Sequence, residues 1–527
     1  MTSLVPQELT GTATLLRLAL RRDRIRLAVW PAALTLLMAY TPSAMRLAYP
    51  DEAQRIARVA LMKTPAAIML AGPTFGVNET DLGAMIANEL MLTMIVAASI
   101  LAVLTVVRHT RAEEERGTAE LVAAAAVGRH ARTGAALALA GGVNAVLAAA
   151  LTIALAANGF AVADCAAMSL GIAAVAMVFA AVAAVTAQLW RQARAAGGAA
   201  LAALAAAVVV RGLGDIIDHS GSALSWCSPI AWAQQLRPFV ALRWWPLAPL
   251  LVLTVVLIAL AAALERRRQY GAGVLPGTGD RPRARRIGGV FALHLRLHRG
   301  QTVGWAVGML LGGLAIGSMT RSMLDMAAGN DLVARMLGER GADGMYSAML
   351  QLLTATAGGC VVAAVLRVYR DEASGLGEPV LAAAVSRWRW LCSAVAAAVV
   401  AGAVTAAAAG FGMGLGAALT MRAPEQLWRL TLAGLTFVPA LAVLAGIAAV
   451  AVALRRPVIA WSVLALVVAA LYLGALLGLP QWLLELSPFV RIRSPLAWSP
   501  AAWAVTAVVA VALTVAAAAA FRRRDHG

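Results

Sequence analysis

Long apolar runs constrain this chain more than any other feature of its sequence. Hydrophobic residues make up 61% of the 527 residues and charged residues only 13%, about half the charged share of a soluble protein. Many runs reach the length of roughly 20 residues that a helix needs to span a bilayer. Only helices or closed barrels satisfy their backbone hydrogen bonds in lipid, and these runs lack the alternation of barrel strands. The sequence therefore predicts an all-α polytopic membrane protein.

Twelve transmembrane helices are predicted from these runs. They cover approximately 27–47, 86–107, 134–157, 165–189, 197–213, 246–264, 302–319, 346–366, 390–415, 428–454, 458–479 and 501–521. The arginine clusters then all fall on one side of the membrane, at 17–26, 191–194, 266–286, 455–456 and 522–524. The positive-inside rule makes that side cytoplasmic, with both termini there. The net charge of +18 comes from these short loops. We therefore interpret it as a signal of membrane topology and predict no nucleic-acid partner.

A short acidic motif occurs twice, with its copies 258 positions apart. The matched pairs are Glu114 and Glu372, Gly117 and Gly375, Glu120 and Glu378, and Arg129 and Arg387. Each copy lies in the cytoplasmic loop between the second and third spans of its half. Carboxylates on a face that is otherwise strongly basic indicate a partner.

Two further anchors extend this repeat. Ser228-Pro229 and Ser487-Pro488 lie 259 positions apart, and the arginine runs that begin at Arg266 and Arg522 lie 256 apart. We predict two tandem six-helix halves, which share one orientation because six is even and form a parallel repeat about the membrane normal. The N-terminal half covers 1–270 and the C-terminal half 289–527, and the Gly-, Pro- and Arg-containing segment 271–288 is the cytosolic linker.

Each acidic motif is predicted to end one helix and to begin another. Gly117 and Gly375 suit the left-handed residue that follows a helix end. Pro379 suits the first position of a new helix of about two turns. Glu378 would then be its N-cap, and Glu120 the equivalent residue in the first copy.

The chain carries no nucleotide-binding P-loop, because that loop needs a Gly-x-x-x-x-Gly-Lys sequence. Lys63 is the one lysine, and the residues before it are Arg-Val-Ala-Leu-Met. The four cysteines show no metal spacing and are predicted to be buried free thiols.

The first acidic motif resembles the cytosolic coupling segment of ABC-exporter permeases. The residues that carry the likeness are His109 to Leu121 with Val127-Gly128-Arg129, the outer loop Leu224 to Phe239, and the entry segment Leu15 to Trp30. The likeness is closest to actinobacterial antibiotic exporters of the tetronasin or polyketide type. It implies a twelve-span permease subunit in the bacterial plasma (inner) membrane, which is not itself an enzyme and binds no cofactor.

By the same resemblance, two copies of a separate ABC ATP-binding subunit would bind ATP and Mg and drive transport. Their contact residues would be Glu114, Gly117, Glu120, Arg129, Glu372, Gly375, Glu378 and Arg387. Ala373 and Ser374 replace Glu115 and Arg116 in the second copy, so we expect unequal contacts. The cargo is expected to be a small amphipathic or apolar compound, since the spans hold few charges. The sequence assigns no substrate-binding residues.

Two other function classes remain open at this point. A polytopic glycosyltransferase that uses a lipid-linked sugar would place a catalytic acid pair such as Asp51-Glu52 in the first outer loop. The second half holds no counterpart of this pair, and the repeated acids lie on the opposite side. A secondary transporter would place ionisable residues deep in its spans, where Asn144 and Gln188 are the main polar exceptions.

Several smaller patterns have structural interpretations. His294 and His298 lie four residues apart but lack further ligands nearby in sequence, so no metal site is predicted. Gly412 with Gly416, Gly308 with Gly312 and Gly313 with Gly317 predict close helix packing. The arginines of 17–26 predict a basic helix in the inner headgroup region, either a lever for the first span or a topology anchor. The outer segment 50–85 is expected to pack on the outer mouth.

Overall fold

The computed structural model describes most of the chain as helix. The described residues are 7–63, 65–73, 75–76, 81–117, 127–218, 221–269, 271–275, 288–321, 324, 341–376, 378–383, 385–473, 480–492, 496 and 499–523, and they contain no β-strand. Internal contacts divide the chain into two units, Met1–Arg283 and Ala284–Gly527. The division falls inside the segment 271–288 that was predicted as the linker.

The N-terminal unit is organised around one buried helix, α7. Its helices are α1 (Thr12–Ala48), α2 (Glu52–Met62), α3 (Pro65–Ala71), α4 (Leu82–His109), α5 (Arg111–Glu115), α6 (Ala131–Ala156), α7 (Val162–Leu189), α8 (Ala193–Ile217), α9 (Pro229–Gln234) and α10 (Leu247–Arg267). α7 packs against α4, α6 and α10. Its buried positions are rich in alanine, with Gly171 among them, and small residues allow helix backbones to approach closely.

The C-terminal unit is organised around α15 in the same way. Its helices are α11 (Val290–Ser318), α12 (Gly341–Val365), α13 (Arg367–Ala373), α14 (Glu378–Leu381), α15 (Arg387–Met421), α16 (Glu425–Leu435), α17 (Val438–Ala453), α18 (Pro457–Leu473), α19 (Gln481–Leu484), α20 (Pro488–Arg491) and α21 (Pro500–Arg522). α15 packs against α11, α12 and α16.

Alternating glycines explain how α15 packs closely against two helices at once. A Cβ at Gly412 would lie 2.0 Å from the carbonyl oxygen of Leu310 in α11. A Cβ at Gly410 would lie 2.3 Å from the carbonyl oxygen of Leu430 in α16. Two residues along a helix are about 200° apart, so the two glycines face different neighbours. The predicted close packing is confirmed for Gly412/Gly416 and Gly313/Gly317, whereas Gly308 has open space around it.

The all-α polytopic class is confirmed, since eleven of the described helices are long and apolar enough to cross a membrane. The predicted span 458–479 corresponds to the shorter helix α18, and 474–479 lie outside the described residues. The basic entry segment is not a separate helix: it forms the first turns of α1, which runs on through Pro31 and Pro42. No helix breaker separates Arg26 from Trp30, and spanning helices tolerate internal proline.

The predicted outer segment packs onto its own unit through two buried arginines. Arg58 of α2 binds the carboxylate of Glu89 in α4 at 2.5 Å. Arg211 of α8 donates to the carbonyl oxygens of Ile68 at 3.2 Å and Met69 at 2.5 Å. These carbonyls lie in the last turn of α3, where helix carbonyls lack partners within the helix.

Both Ser-Pro pairs begin a short helix. The Ser228 hydroxyl caps α9 by accepting the Ile230 amide at 3.3 Å and donates to the Ala207 carbonyl at 2.8 Å. Ser487 precedes α20 in the same position, with proline first in the helix, as proline's fixed φ favours. All four cysteines are free, but Cys227 is exposed, which contradicts the prediction that all four are buried. It lies at the end of the short turn directly before Ser228.

Candidate functional site

Both acidic motifs turn the chain with the same backbone conformation. Gly117 has φ of 71° and Gly375 has φ of 72°. Their amides donate to the carbonyl oxygens of Glu114 at 3.2 Å and Glu372 at 3.1 Å. A Cβ at either glycine would meet no atom within 4 Å, so only the left-handed backbone calls for glycine here. The predicted left-handed helix ends are confirmed.

Glu114 lies at the centre of a buried cluster of charges. Its side chain is 4% exposed and is bound by Arg111 at 2.6 Å, Arg268 at 2.5 Å and Arg132 at 3.1 Å. Arg268 contacts both carboxylate oxygens, with its second bond at 3.0 Å. The three arginines come from α5, the end of α10 and the start of α6. The carboxylate therefore joins three helices of its own unit.

The same arginines hold the segment that follows α10. Arg111 and Arg268 both donate to the carbonyl oxygen of Ala272, at 2.6 Å and 3.2 Å. The next amides pair with the end of α7, where Val274 donates to Gln188 at 3.0 Å and Leu275 donates to Leu189 at 3.0 Å. Glu114 thus positions the chain leaving the last span of this half.

The two neighbouring glutamates also bind within the unit. Glu113 accepts a bond from Arg22 of α1 at 3.1 Å. Glu115 accepts the amide of Ala193, the first residue of α8, at 2.6 Å. A carboxylate there satisfies an unpaired amide and complements the positive end of the helix dipole. The first acidic loop is therefore fixed to α1 and α8 as well.

The sequence analysis missed Asp23, which ties α1 to the end of α4. Its side chain is 5% exposed and binds Arg108 at 2.6 Å and His109 at 3.0 Å. The available signal was a single acid among the arginines of 17–26. A lone carboxylate in such a run has several possible basic partners.

A second missed cluster lies at the end of α10. Glu265 is bound by His130 at 2.7 Å and by the hydroxyl of Thr133 at 2.9 Å. Arg129, a predicted contact residue, donates to the carbonyl oxygen of Arg266 at 2.9 Å. That carbonyl lies in the last turn of α10, where a cationic side chain complements the helix dipole. The Arg129 side chain itself is exposed.

The second acidic loop is built differently around the same turn. Glu372 ends α13 and is half-buried, whereas Glu378 begins α14 and is exposed. α14 begins at Glu378, one residue earlier than predicted, so Pro379 is its second residue and Glu378 is not a cap outside the helix. The helix covers four residues, one turn and not two. Only one described bond, from the Ala382 amide to the Glu378 carbonyl at 2.9 Å, spans a full helical turn. Arg387 begins α15 and is half-buried.

Two of the three arginines around Glu114 have no equivalents at the repeat offset in the second loop. Tyr369 and Trp390 stand 258 positions after Arg111 and Arg132. Trp390 is buried against His294, with ring centroids 4.4 Å apart. Glu120, the predicted counterpart of Glu378, lies outside the described residues.

His294 and His298 are both buried in α11. Within the described part of the chain, no group of three His, Cys, Asp or Glu side chains is arranged to hold a metal ion. The His294 ring instead packs on Trp390, the residue that stands 258 positions after Arg132.

Comparison with known proteins identifies one family. The family described as "Multidrug efflux system permease Rv1217c, C-terminal domain" matches residues 13–266 and 287–522. The multidrug efflux system permease protein Rv1217c of Mycobacterium tuberculosis (strain ATCC 25618 / H37Rv) is 36% identical over 546 residues, which cover 98% of this chain and 95% of the relative. Similarity of this extent includes both acidic loops and all the described helices from α2 to α20. The chain therefore belongs to the family of the multidrug efflux permease Rv1217c.

Proposed function

We propose that this chain is the membrane permease subunit of an ABC exporter. It moves amphipathic or apolar compounds outward across the bacterial plasma membrane. The observation that carries this proposal is the near-full-length similarity to a multidrug efflux permease, in a chain whose described residues include eleven potential membrane spans. The motif resemblance extends the proposal to the tetronasin or polyketide exporter type, with both termini in the cytoplasm.

A separate chain supplies the energy in this proposal, because the sequence holds no P-loop lysine. Two acidic loops with matching glycine turns, Gly117 and Gly375, support two copies of an ATP-binding subunit. ATP and Mg are then bound by that subunit. The match of one family description to residues 13–266 and to residues 287–522 is what a tandem duplication would produce and supports the same arrangement.

The two loops would take different parts in this coupling. In the first loop the Glu114 carboxylate is held by three arginines of its own unit, so its role is to position the turn. Arg116 and Gly117 are exposed beside it and are available to a partner. In the second loop Glu378 and Leu376 are exposed, so an acid and an apolar side chain form the contact there.

A secondary transporter would place ionisable residues within its spans, and α8 carries one such pair. Arg211 and Asp215 of α8 are buried and lie 3.3 Å apart. Asp215 also accepts the Ser225 hydroxyl at 2.6 Å, while Arg211 holds the end of α3. This pair joins the outer segment to α8, so it has a structural role that needs no ion coupling. The glycosyltransferase pair Asp51 and Glu52 is exposed at the start of α2, and no observation favours that alternative.

Transport into inside-out vesicles tests the proposal. Vesicles that contain the chain together with an ATP-binding subunit encoded beside it should accumulate a fluorescent apolar dye when ATP is added. The purified chain alone should hydrolyse no ATP. ATP hydrolysis by the chain alone, or dye uptake driven by a proton gradient without the second subunit, would refute the permease proposal.

The exposed acid of the second loop gives a residue-level test. Glu378→Arg places a like charge against a basic partner surface, and disrupting a buried charged contact costs roughly 2–5 kcal/mol. We expect ATPase binding to weaken at least tenfold. Glu425→Arg is the matched control, because Glu425 is also exposed in the first turn of a helix but lies at the other end of α15.

A further inference from the structure

A large cleft opens between α6, α7 and α10 of the N-terminal unit. Its volume is about 810 Å³, which lies within the usual range of ligand pockets. Its walls are formed mainly by alanine, leucine, isoleucine and methionine side chains. Ala145 and Ala149 of α6 are exposed in it. The cleft is therefore wide enough for a small molecule and almost wholly apolar.

The three polar side chains that line the cleft all offer acceptors. Asn144 donates through Nδ2 to the carbonyl of Ala140 at 2.9 Å. The hydroxyls of Thr152 and Thr254 donate to the carbonyls of Ala148 and Leu250, each at 2.8 Å. These donors are used within their own helices. The three oxygen atoms keep lone pairs, which accept hydrogen bonds but cannot donate them.

Asn144 is the strongest of the three groups. Its residue is 2% exposed, and its Oδ1 atom has no hydrogen-bond partner. The bond from Nδ2 to the Ala140 carbonyl fixes which amide atom is oxygen. A buried acceptor without a partner is unfavourable, and a donor on a bound molecule would satisfy it.

We propose that this cleft binds the transported compound, and that the compound is an apolar molecule bearing an N–H or O–H donor to Asn144. This inference rests on the proposed export function and adds the substrate class and the site. The position 258 residues after Asn144 is Gly402, where a Cβ would lie 2.9 Å from Cγ2 of Val361, so Asn144 has no equivalent at that position.

Two rhodamine dyes test the donor requirement. Rhodamine 6G and tetramethylrhodamine ethyl ester share one ring system, charge and ester, but only rhodamine 6G carries N–H donors. Fluorescence anisotropy with the purified full chain in lipid nanodiscs measures both affinities. We expect rhodamine 6G to bind about tenfold more tightly. Asn144→Leu should abolish that preference by weakening rhodamine 6G alone, whereas Asn144→Asp, which keeps an acceptor, should retain it.

A second pair of variants tests the cleft without touching Asn144. Ala149→Phe should fill the cleft and weaken both dyes at least tenfold. Val146→Phe is the matched control, since Val146 is 64% exposed on the same helix and does not line the cleft. It should leave both affinities unchanged.

The outcomes separate this site from the proposed function. Failure of the wild-type chain to bind either dye, a donor preference that survives in Asn144→Leu, or equal effects of the two phenylalanine variants would each overturn the site. If ATP-dependent export persists in those cases, the export proposal stands. Conversely, Asn144-dependent binding in a chain that supports no ATP-dependent export would keep the site and overturn the proposed function.

Discussion

Replacing Glu114 by glutamine should loosen the end of the N-terminal unit that carries the first acidic loop. The substitution removes the carboxylate shared by Arg111, Arg132 and Arg268. Arg111 and Arg268 would still converge on the Ala272 carbonyl. Two guanidinium groups would then face each other there with their shared counter-charge removed.

The expected cost follows from the burial of this cluster. Breaking a buried ion pair by removing one partner typically costs about 3–5 kcal/mol. The Arg132 side chain is 16% exposed, so water can reach one side of the cluster. We therefore expect a loss near the lower limit, about 3 kcal/mol. At roughly 1.4 kcal/mol for each factor of ten, this corresponds to about a hundredfold change in a local opening equilibrium.

Hydrogen exchange of the segment after α10 measures this loss directly. The amides of Val274 and Leu275 bind the end of α7, and Arg111 and Arg268 anchor Ala272, two residues before Val274. Their exchange should become about a hundredfold faster in Glu114→Gln, since exchange follows local opening. Glu372→Gln is the control in the other unit, where Tyr369 and Trp390 replace two of the arginines; it should accelerate exchange of the 372–376 segment less than about fivefold.

A double variant separates charge imbalance from simple loss of a contact. Glu114→Gln combined with Arg268→Gln removes one positive charge along with the negative one, so its effect should be smaller than the sum of the two single effects. Unchanged exchange at Val274 and Leu275 in Glu114→Gln would refute the reasoning. So would strictly additive single effects, because the cluster would then not act as one unit.

Three further predictions test other features of the fold. Asp23→Asn leaves Arg108 and His109 without their shared carboxylate and should lower the stability measured by thermal unfolding by about 2–3 kcal/mol. The control Glu52→Gln, at an exposed acid, should change that stability by less than about 0.5 kcal/mol. Gly117→Ala should lower the free energy of unfolding by only about 1–2 kcal/mol, because its Cβ has open space and a left-handed φ is the single penalty. Gly317→Ala should lower it more, because its Cβ would lie 2.0 Å from the Met413 carbonyl oxygen. Equal losses of stability would contradict the packing of α11 on α15. Native Cys227, which is exposed, should react with a membrane-impermeant maleimide in intact cells, while Arg523→Cys should react only after permeabilisation; the reverse pattern would invert the topology.

The sequence predicted the fold class because spanning helices are set by local hydropathy. A run of apolar residues must satisfy its own backbone in lipid, so each span could be recognised without knowledge of its neighbours. The glycine turns were equally local: a left-handed residue after a helix end is a property of Gly117 and its adjoining backbone. The four-residue length of α14 was not predicted, since both tertiary packing and capping decide where so short a helix ends.

The charge cluster could not be predicted, because its members lie far apart in sequence. Arg268 binds Glu114 across 154 positions, and Glu265 binds His130 across 135. No periodicity links residues in different helices. Arginines in cytoplasmic loops all carry the same topological signal, so those that hold a carboxylate look like those that only face water.

The two acidic loops therefore share a backbone turn but differ in what fixes it. Glu115 caps α8, and the matching position is Ala373, which has no side-chain acceptor. The arginines at 111 and 132 are replaced by Tyr369 and Trp390, of which Trp390 packs on His294. In the first loop the carboxylates bind groups of their own unit, whereas in the second loop Glu378 is exposed. If the two copies of an ATPase are identical, this difference makes the second contact the more acidic one, so charge reversal at Glu378 should weaken partner binding more than Arg116→Glu does in the first loop.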